Sequence, residues 1–121
     1  IFFLGALESV DVAYRAADCL AHPTLEDTFA MVVLEALAHG LPLVVSAARY
    51  CGIAALLTHE QEALILENPR DATALAQALQ RLLSDTTLQS TLRQGGERFA
   101  QGYLWPEVAR QQESIYLSVL R

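Results

Sequence analysis

The 121-residue sequence contains no lysine, two cysteines, one methionine and one tryptophan, and these scarcities close off whole classes of function. Its eight basic residues are all arginines, scattered singly through a chain of net charge −6. Nucleic-acid affinity comes mainly from neutralising phosphates with clustered cations, so the absence of a basic stripe argues against that partner. Cys19 and Cys51 form no CxxC pair and sit in no Cys/His cluster, so they read as free thiols of a reducing compartment, the cytoplasm, rather than as a disulfide or a metal site. No uncharged apolar run, the Phe29–Leu34 stretch included, approaches the roughly 20 residues needed to span a bilayer. No basic segment precedes Ile1-Phe2-Phe3-Leu4-Gly5 and no small-residue cleavage site follows, which speaks against a signal peptide. The single methionine, Met31, is internal, and an apolar opening without a starter methionine reads as a piece cut from a longer protein. Nor does any GxGxxG follow a strand-like segment, which disfavours a generic dinucleotide binder.

What is present is apolar. Hydrophobic residues make up 53% of the chain, and its length suits one domain with a real core. Phe2–Gly5 reads as a short buried strand, and Ser9 as the cap of a helix running to Ala17. Asp18–His22 reads as a second strand stopped by Pro23, Phe29–His39 as a helix ended by Gly40, and Pro42–Ser46 as a third, wholly apolar strand. A helical turn near Ile53–Leu57 and a small strand at Ala63–Leu66 come next. Three helical stretches complete the chain: Asp71–Leu83, Thr87–Gln101 with an interruption at Gly95-Gly96, and a last helix opening at Pro106, with Trp105 and Tyr116 as packing anchors. Strand and helix alternating within about fifty residues predict right-handed βαβ units, hence an α/β fold: a partial Rossmann-like parallel sheet flanked by helices. So few strands are thin support for so many helices, and the first strands of the sheet are expected to lie outside residues 1–121.

The stretch from His22 to Pro42 carries the chemistry. Glu35 is the only charge between Phe29 and Ala38, in a helix apolar on nearly every side and so expected to be buried all round. An unpaired buried carboxylate costs several kcal/mol, so Glu35 needs a partner, an arginine such as Arg49 or a neighbouring loop, or else faces a cleft. The loop before this helix leaves the C-terminal end of a parallel strand, where open α/β sheets bind ligands. Backbone N–H groups from Thr28, Phe29, Ala30 and Met31, together with the helix dipole, can seat a phosphate. Asp27 and Glu35 stand eight residues apart, about 12 Å along a helix axis, a layout that suits a nucleotide diphosphate sugar, polar at both ends and anionic in its middle. His22 ends a strand beside this site, as either a structural residue or a ligand contact.

His22-Pro23-Thr24, a carboxylate, seven residues, Glu35-Ala36-Leu37-Ala38 and then Gly40-Leu41-Pro42-Leu43-Val44-Val45 resembles the signature of glycosyltransferase family 4, whose members have the GT-B fold. The match continues through Asn68-Pro69-Arg70-Asp71 to Tyr103-Leu104-Trp105 and covers essentially the whole chain. The family motif is two glutamates separated by seven residues; here Asp27 holds the first position in register and Glu26 precedes it, so the first motif carboxylate is Asp27 by spacing or Glu26 by side-chain type. The resemblance implies that this carboxylate binds the donor sugar and supports charge at the reacting carbon, that Glu35 accepts from the ribose hydroxyls, and that the Ala30 and Met31 amides hold the diphosphate, with no metal and no cofactor. Tyr50-Cys51-Gly52-Ile53-Ala54 is similar to the lipopolysaccharide-core glucosyltransferase branch. The resemblance further implies transfer of a hexose, with retention, from a nucleotide diphosphate sugar, UDP favoured, to a glycan or lipid-linked acceptor. The enzyme would be cytoplasmic or held peripherally at the inner face of the membrane. Residues 1–121 would then be the C-terminal portion of the donor-binding domain, the acceptor-binding N-terminal domain lying elsewhere, and would be inert alone. The competing reading is a non-catalytic α/β binding module in which Glu35 is purely structural.

Overall fold

The computed structural model describes residues 1–120. In chain order the elements are α1 (Asp11–Ala16), β1 (Leu20–His22), α2 (Met31–Ala38), β2 (Leu43–Ser46), a 3-10 turn (Gly52–Leu56), β3 (Leu64–Leu66), α3 (Ala72–Ser84), α4 (Thr86–Gln101) and α5 (Trp105–Val119). The three strands form one parallel sheet in the order β1-β2-β3, with Leu20 opposite Leu43 and Val44 opposite Leu64. This is the partial α/β sheet expected from the βαβ pattern.

β2 is buried at all four positions, and its period-2 alternation splits the core into two halves. Leu43 and Val45 join Val33, Leu34, Ala36 and Leu37 of α2 on one face, while Val44 joins Leu64, Leu66, Leu82, Leu88 and Leu92 on the other. α3 is capped by Asp71, whose carboxylate accepts from the Ala74 amide, and α4 by Asp85, which accepts from the Leu88 amide. α2 ends as predicted, with Gly40 in the left-handed conformation (φ 64°).

Several expectations are corrected. Phe2–Gly5 forms no strand and is exposed, because β1 pairs only with β2 and no strand among the described residues offers Phe2–Gly5 a ladder. α1 starts at Asp11 after Val10, and Ser9 makes no cap hydrogen bond to it. α2 begins at Met31, two residues later than predicted, since Ala30 takes a left-handed φ of 71° that cannot continue a helix. Nor is α2 buried all round, for Met31 and Ala38 are exposed. α4 runs unbroken through Gly95-Gly96, whose bareness serves packing. A Cβ on Gly95 would fall on the Gln61 carbonyl oxygen, and one on Gly96 would lie 2.7 Å from Leu37 Cδ2. α5 has no buried residue, and Trp105 and Tyr116 stay exposed rather than anchoring it. Cys19 and Cys51 are free thiols, as read from the sequence.

Two stability predictions follow from the backbone. At Ala30 the left-handed region costs an L-residue about 1–2 kcal/mol, partly offset by the greater unfolded-chain entropy of glycine. Ala30→Gly also gives up a buried methyl worth about 0.8 kcal/mol, so the terms nearly cancel and stability should change by less than about 0.5 kcal/mol in denaturant melts. Gly95→Ala should gain about 1 kcal/mol of helix propensity but lose more to the Gln61 contact, lowering the melting temperature.

Candidate functional site

The loop between β1 and α2 leaves the C-terminal end of the sheet and is fixed from two sides. Ser46, fully buried at the end of β2, donates its hydroxyl to the Thr24 carbonyl oxygen at 2.7 Å. On the other side the Asp27 amide donates to the Tyr50 carbonyl oxygen at 2.8 Å, and the Gly52 amide donates back to the Asp27 carbonyl oxygen at 3.1 Å. This one-residue parallel bridge leaves no room for a side chain at position 52, because a Cβ there would fall on the Thr28 carbonyl oxygen. The backbone of Tyr50 and Gly52 is thus engaged with Asp27.

The pinned loop presents Asp27 with a defined orientation. Its Oδ1 accepts from the Phe29 amide at 3.2 Å, and its Oδ2 lies 3.1 Å from His22 Nε2. A carboxylate oxygen facing a ring nitrogen accepts, so Nε2 carries the proton and donates. His22 therefore reaches the Asp27 carboxylate rather than the loop backbone. The Asp27 side chain remains 29% exposed. Its negative charge also reaches Cys51, whose thiol is pushed above its ordinary range first by burial and then by Asp27. Glu26 differs: it is exposed, and among the described residues its carboxylate takes no hydrogen bond.

Beyond Asp27, the Phe29 ring is half-buried against Tyr103, 6.1 Å between centroids, and Tyr103 stacks on Phe99 at 5.0 Å. Thr28 is exposed, and Ala30 turns the chain left-handed into α2. No side chain caps the N-terminus of α2. The first amides of a helix have no intrahelical acceptor, so Met31 and its neighbours leave N–H groups and the positive dipole end at the C-terminal edge of the sheet. Of the expected phosphate seat, the Phe29 amide is withdrawn, since it already serves Asp27.

Glu35 lies one turn further along α2 and is half-buried. Its partner is not Arg49, which donates to the Glu67 carbonyl oxygen at 2.7 Å and lies over the Tyr50 ring. Instead the Tyr14 hydroxyl of α1 donates to Glu35 Oε2 at 2.6 Å. The phenol is held well above its usual pKa by burial first, then by its bond to Glu35 and the charge there, so it stays a proton donor. Tyr14 escaped the sequence reading because it looked like one more inward residue at helical spacing. The two motif carboxylates therefore belong to separate pairs, Asp27 with His22 and Glu35 with Tyr14. Among the described residues no group of three or more His, Cys, Asp and Glu side chains could hold a metal ion, and no helix is long and apolar enough to cross a membrane.

Comparison with known proteins gives this arrangement a context. Residues 1–85 match the family described as "Glycosyl transferases group 1". The chain is 37% identical over 100 residues to a D-inositol 3-phosphate glycosyltransferase of Salinispora arenicola, covering 81% of this chain and 21% of that protein. It is 35% identical over 99 residues to a sucrose-phosphate synthase of Zea mays, covering 82% of this chain and 9% of that protein. Among solved structures, the sucrose-phosphate synthase from Thermosynechococcus elongatus superposes with a TM-score of 0.79 at 32% identity, over 92% of this chain and 27% of its own. Anabaena Alr3699/HepE in complex with UDP shares the fold, with a TM-score of 0.83 at 24% identity, over 97% of this chain and 32% of its own. The three-strand parallel sheet flanked by helices matches these GT-B structural neighbours, and the chain spans a third or less of the length of each protein named here. A match over the greater part of the sequence, on a parallel sheet whose C-terminal edge presents the Asp27 and Glu35 loop-helix motif, makes the chain a member of the glycosyl transferases group 1 family.

Proposed function

We propose that the chain is the C-terminal portion of the donor-binding domain of a retaining glycosyltransferase, which transfers a hexose from a UDP-sugar to a glycan or lipid-linked acceptor. The observation that carries this reading is the uncapped N-terminus of α2, set at the strand ends between the oriented Asp27 carboxylate and Glu35. The free amides of Ala30 and Met31 with the helix dipole would hold the diphosphate. Asp27, held by His22 and the Phe29 amide, would face the donor sugar and stabilise positive charge at the anomeric carbon as the leaving group departs. Its fixed orientation favours Asp27 over the exposed Glu26 as the first motif carboxylate. Glu35, one turn deeper, would accept from the ribose hydroxyls through the lone pairs that Tyr14 leaves free. Family membership supports the donor class, as does the neighbour Alr3699/HepE, which was solved with UDP and with UDP-glucose.

The acceptor domain and the cations that neutralise the donor diphosphate would come from the rest of the protein, so residues 1–121 alone should bind UDP too weakly for calorimetry; low-micromolar affinity would contradict this. The Tyr50–Ala54 segment supports placement in the lipopolysaccharide-core branch, acting at the inner face of the cytoplasmic membrane. Catalysis would need no metal, helix dipole and basic side chains taking that role. Turnover by the full-length protein should accordingly survive EDTA, and its loss, restored by a divalent ion, would overturn that part.

A second reading, a binding module without chemistry, draws on the Tyr14–Glu35 bond, which satisfies Glu35 without any ligand. Mutant kinetics of the full-length protein separate the two. Hydrogen bonds to a charged group are worth about 1.5–3 kcal/mol, so Glu35→Gln should lower kcat/KM by about 10- to 100-fold, mainly through donor KM. Asp27→Asn should instead lower kcat by on the order of 100-fold, while Glu26→Gln changes it less than about 3-fold. Near-normal turnover of a folded Glu35→Gln variant would favour the module.

A further inference from the structure

Glu35 has three rotatable side-chain bonds and sits at the half-buried flank of a helix, so something must choose which way its carboxylate points. The structure shows what does. The Tyr14 hydroxyl meets Oε2 at 2.6 Å, the short distance of a charge-assisted bond, and lies 3.4 Å from the Val32 carbonyl oxygen. The Tyr14 ring is itself held, stacked on His39 with 5.0 Å between centroids and 28° between planes. His39 in turn donates from Nδ1 to the Glu35 backbone carbonyl oxygen at 2.8 Å, and its Nε2 lies 3.2 Å from Asp11 Oδ1 on α1. Backbone and carboxylate of the same residue are thus fixed by one stacked pair, which joins α1 to α2.

We infer that Tyr14 is a positioning residue for Glu35, aiming its carboxylate so that the remaining lone pairs meet the two ribose hydroxyls of the nucleotide donor. This rests on the donor-site reading above. An ionised carboxylate offers about four acceptor positions, and Tyr14 occupies one of them, so orientation is gained without blocking the ligand. A contact to the ribose is the same in the ground state and the transition state, so misdirecting Glu35 weakens donor binding and leaves the chemical step alone.

Tyr14→Phe removes only the hydroxyl and keeps the ring on His39. In the full-length protein it should raise donor KM, and the Kd for UDP, by about 5- to 10-fold with kcat within about 2-fold. In a Glu35→Ala background the same change should have no further effect on KM, because the acceptor it orients is gone. Should Tyr14→Phe fail to fold, 3-fluorotyrosine at position 14 carries the test: a stronger donor in the same place should lower donor KM, and an unchanged KM overturns the inference. An unchanged donor KM in folded Tyr14→Phe, with Glu35→Gln raising it, overturns the role of Tyr14 and leaves the donor site standing. An unchanged KM in Glu35→Gln overturns both.

Discussion

The backbone bridge between Asp27 and the Tyr50–Gly52 segment is the constraint on which the rest of the site depends. A loop leaving a parallel strand is ordinarily free to wander, because loops carry few contacts of their own. Here two hydrogen bonds hold its backbone at Asp27, Ser46 holds it at Thr24, and a bare Gly52 lets the two segments touch. With the backbone fixed, the Asp27 carboxylate can reach only His22 and the Phe29 amide, and the chain must turn sharply at Ala30 to enter α2. The open helix N-terminus follows from that turn. The left-handed backbone at a non-glycine residue is strain retained where the surroundings over-determine it, a pattern found at ligand-binding sites.

Beneath the loop, β2 supplies the rigidity. Buried on both faces, it divides the core so that α2 rests on one side and α3 on the other, while α4 reaches both through Leu88, Leu92 and the Gly96–Leu37 contact. A shift of α2 would therefore strain a closely packed interior, and Asp27 and Glu35 keep a fixed separation. His22 and Tyr14 then set the direction of the two carboxylates. The acidic groups of the motif are oriented by a histidine, a phenol and a backbone amide, in a chain without a single lysine.

Much of this was legible in the sequence, for reasons that particular residues make plain. The apolar run Leu43–Ser46 and the Gly40 stop are local signals, and both elements stand where they were read. The spacing of Asp27 and Glu35 was readable because it depends on one loop and one helix, and it pointed to the C-terminal edge of the sheet as the candidate site. Phe2–Gly5 failed for lack of a partner strand, a non-local requirement that β propensity does not report. The last helix forms where it was read, but Trp105 and Tyr116 do not anchor it, since helical spacing shows an apolar stripe but not whether anything covers it. Which carboxylate is oriented, and by what, was invisible because His22–Asp27 and Tyr14–Glu35 are tertiary pairs. Arg49 seemed the natural partner for Glu35 by charge, yet a phenol from the neighbouring helix is better placed.

The central claim is that the N-terminus of α2 and the two flanking carboxylates form the seat of a nucleotide diphosphate sugar. A structure of the full-length protein with UDP bound tests it most directly. The account predicts the diphosphate within hydrogen-bonding distance of the Ala30 and Met31 amides and the ribose hydroxyls on Glu35, with Tyr14 still bonded to Oε2. A nucleotide bound elsewhere, with Glu35 touching only Tyr14, would contradict it.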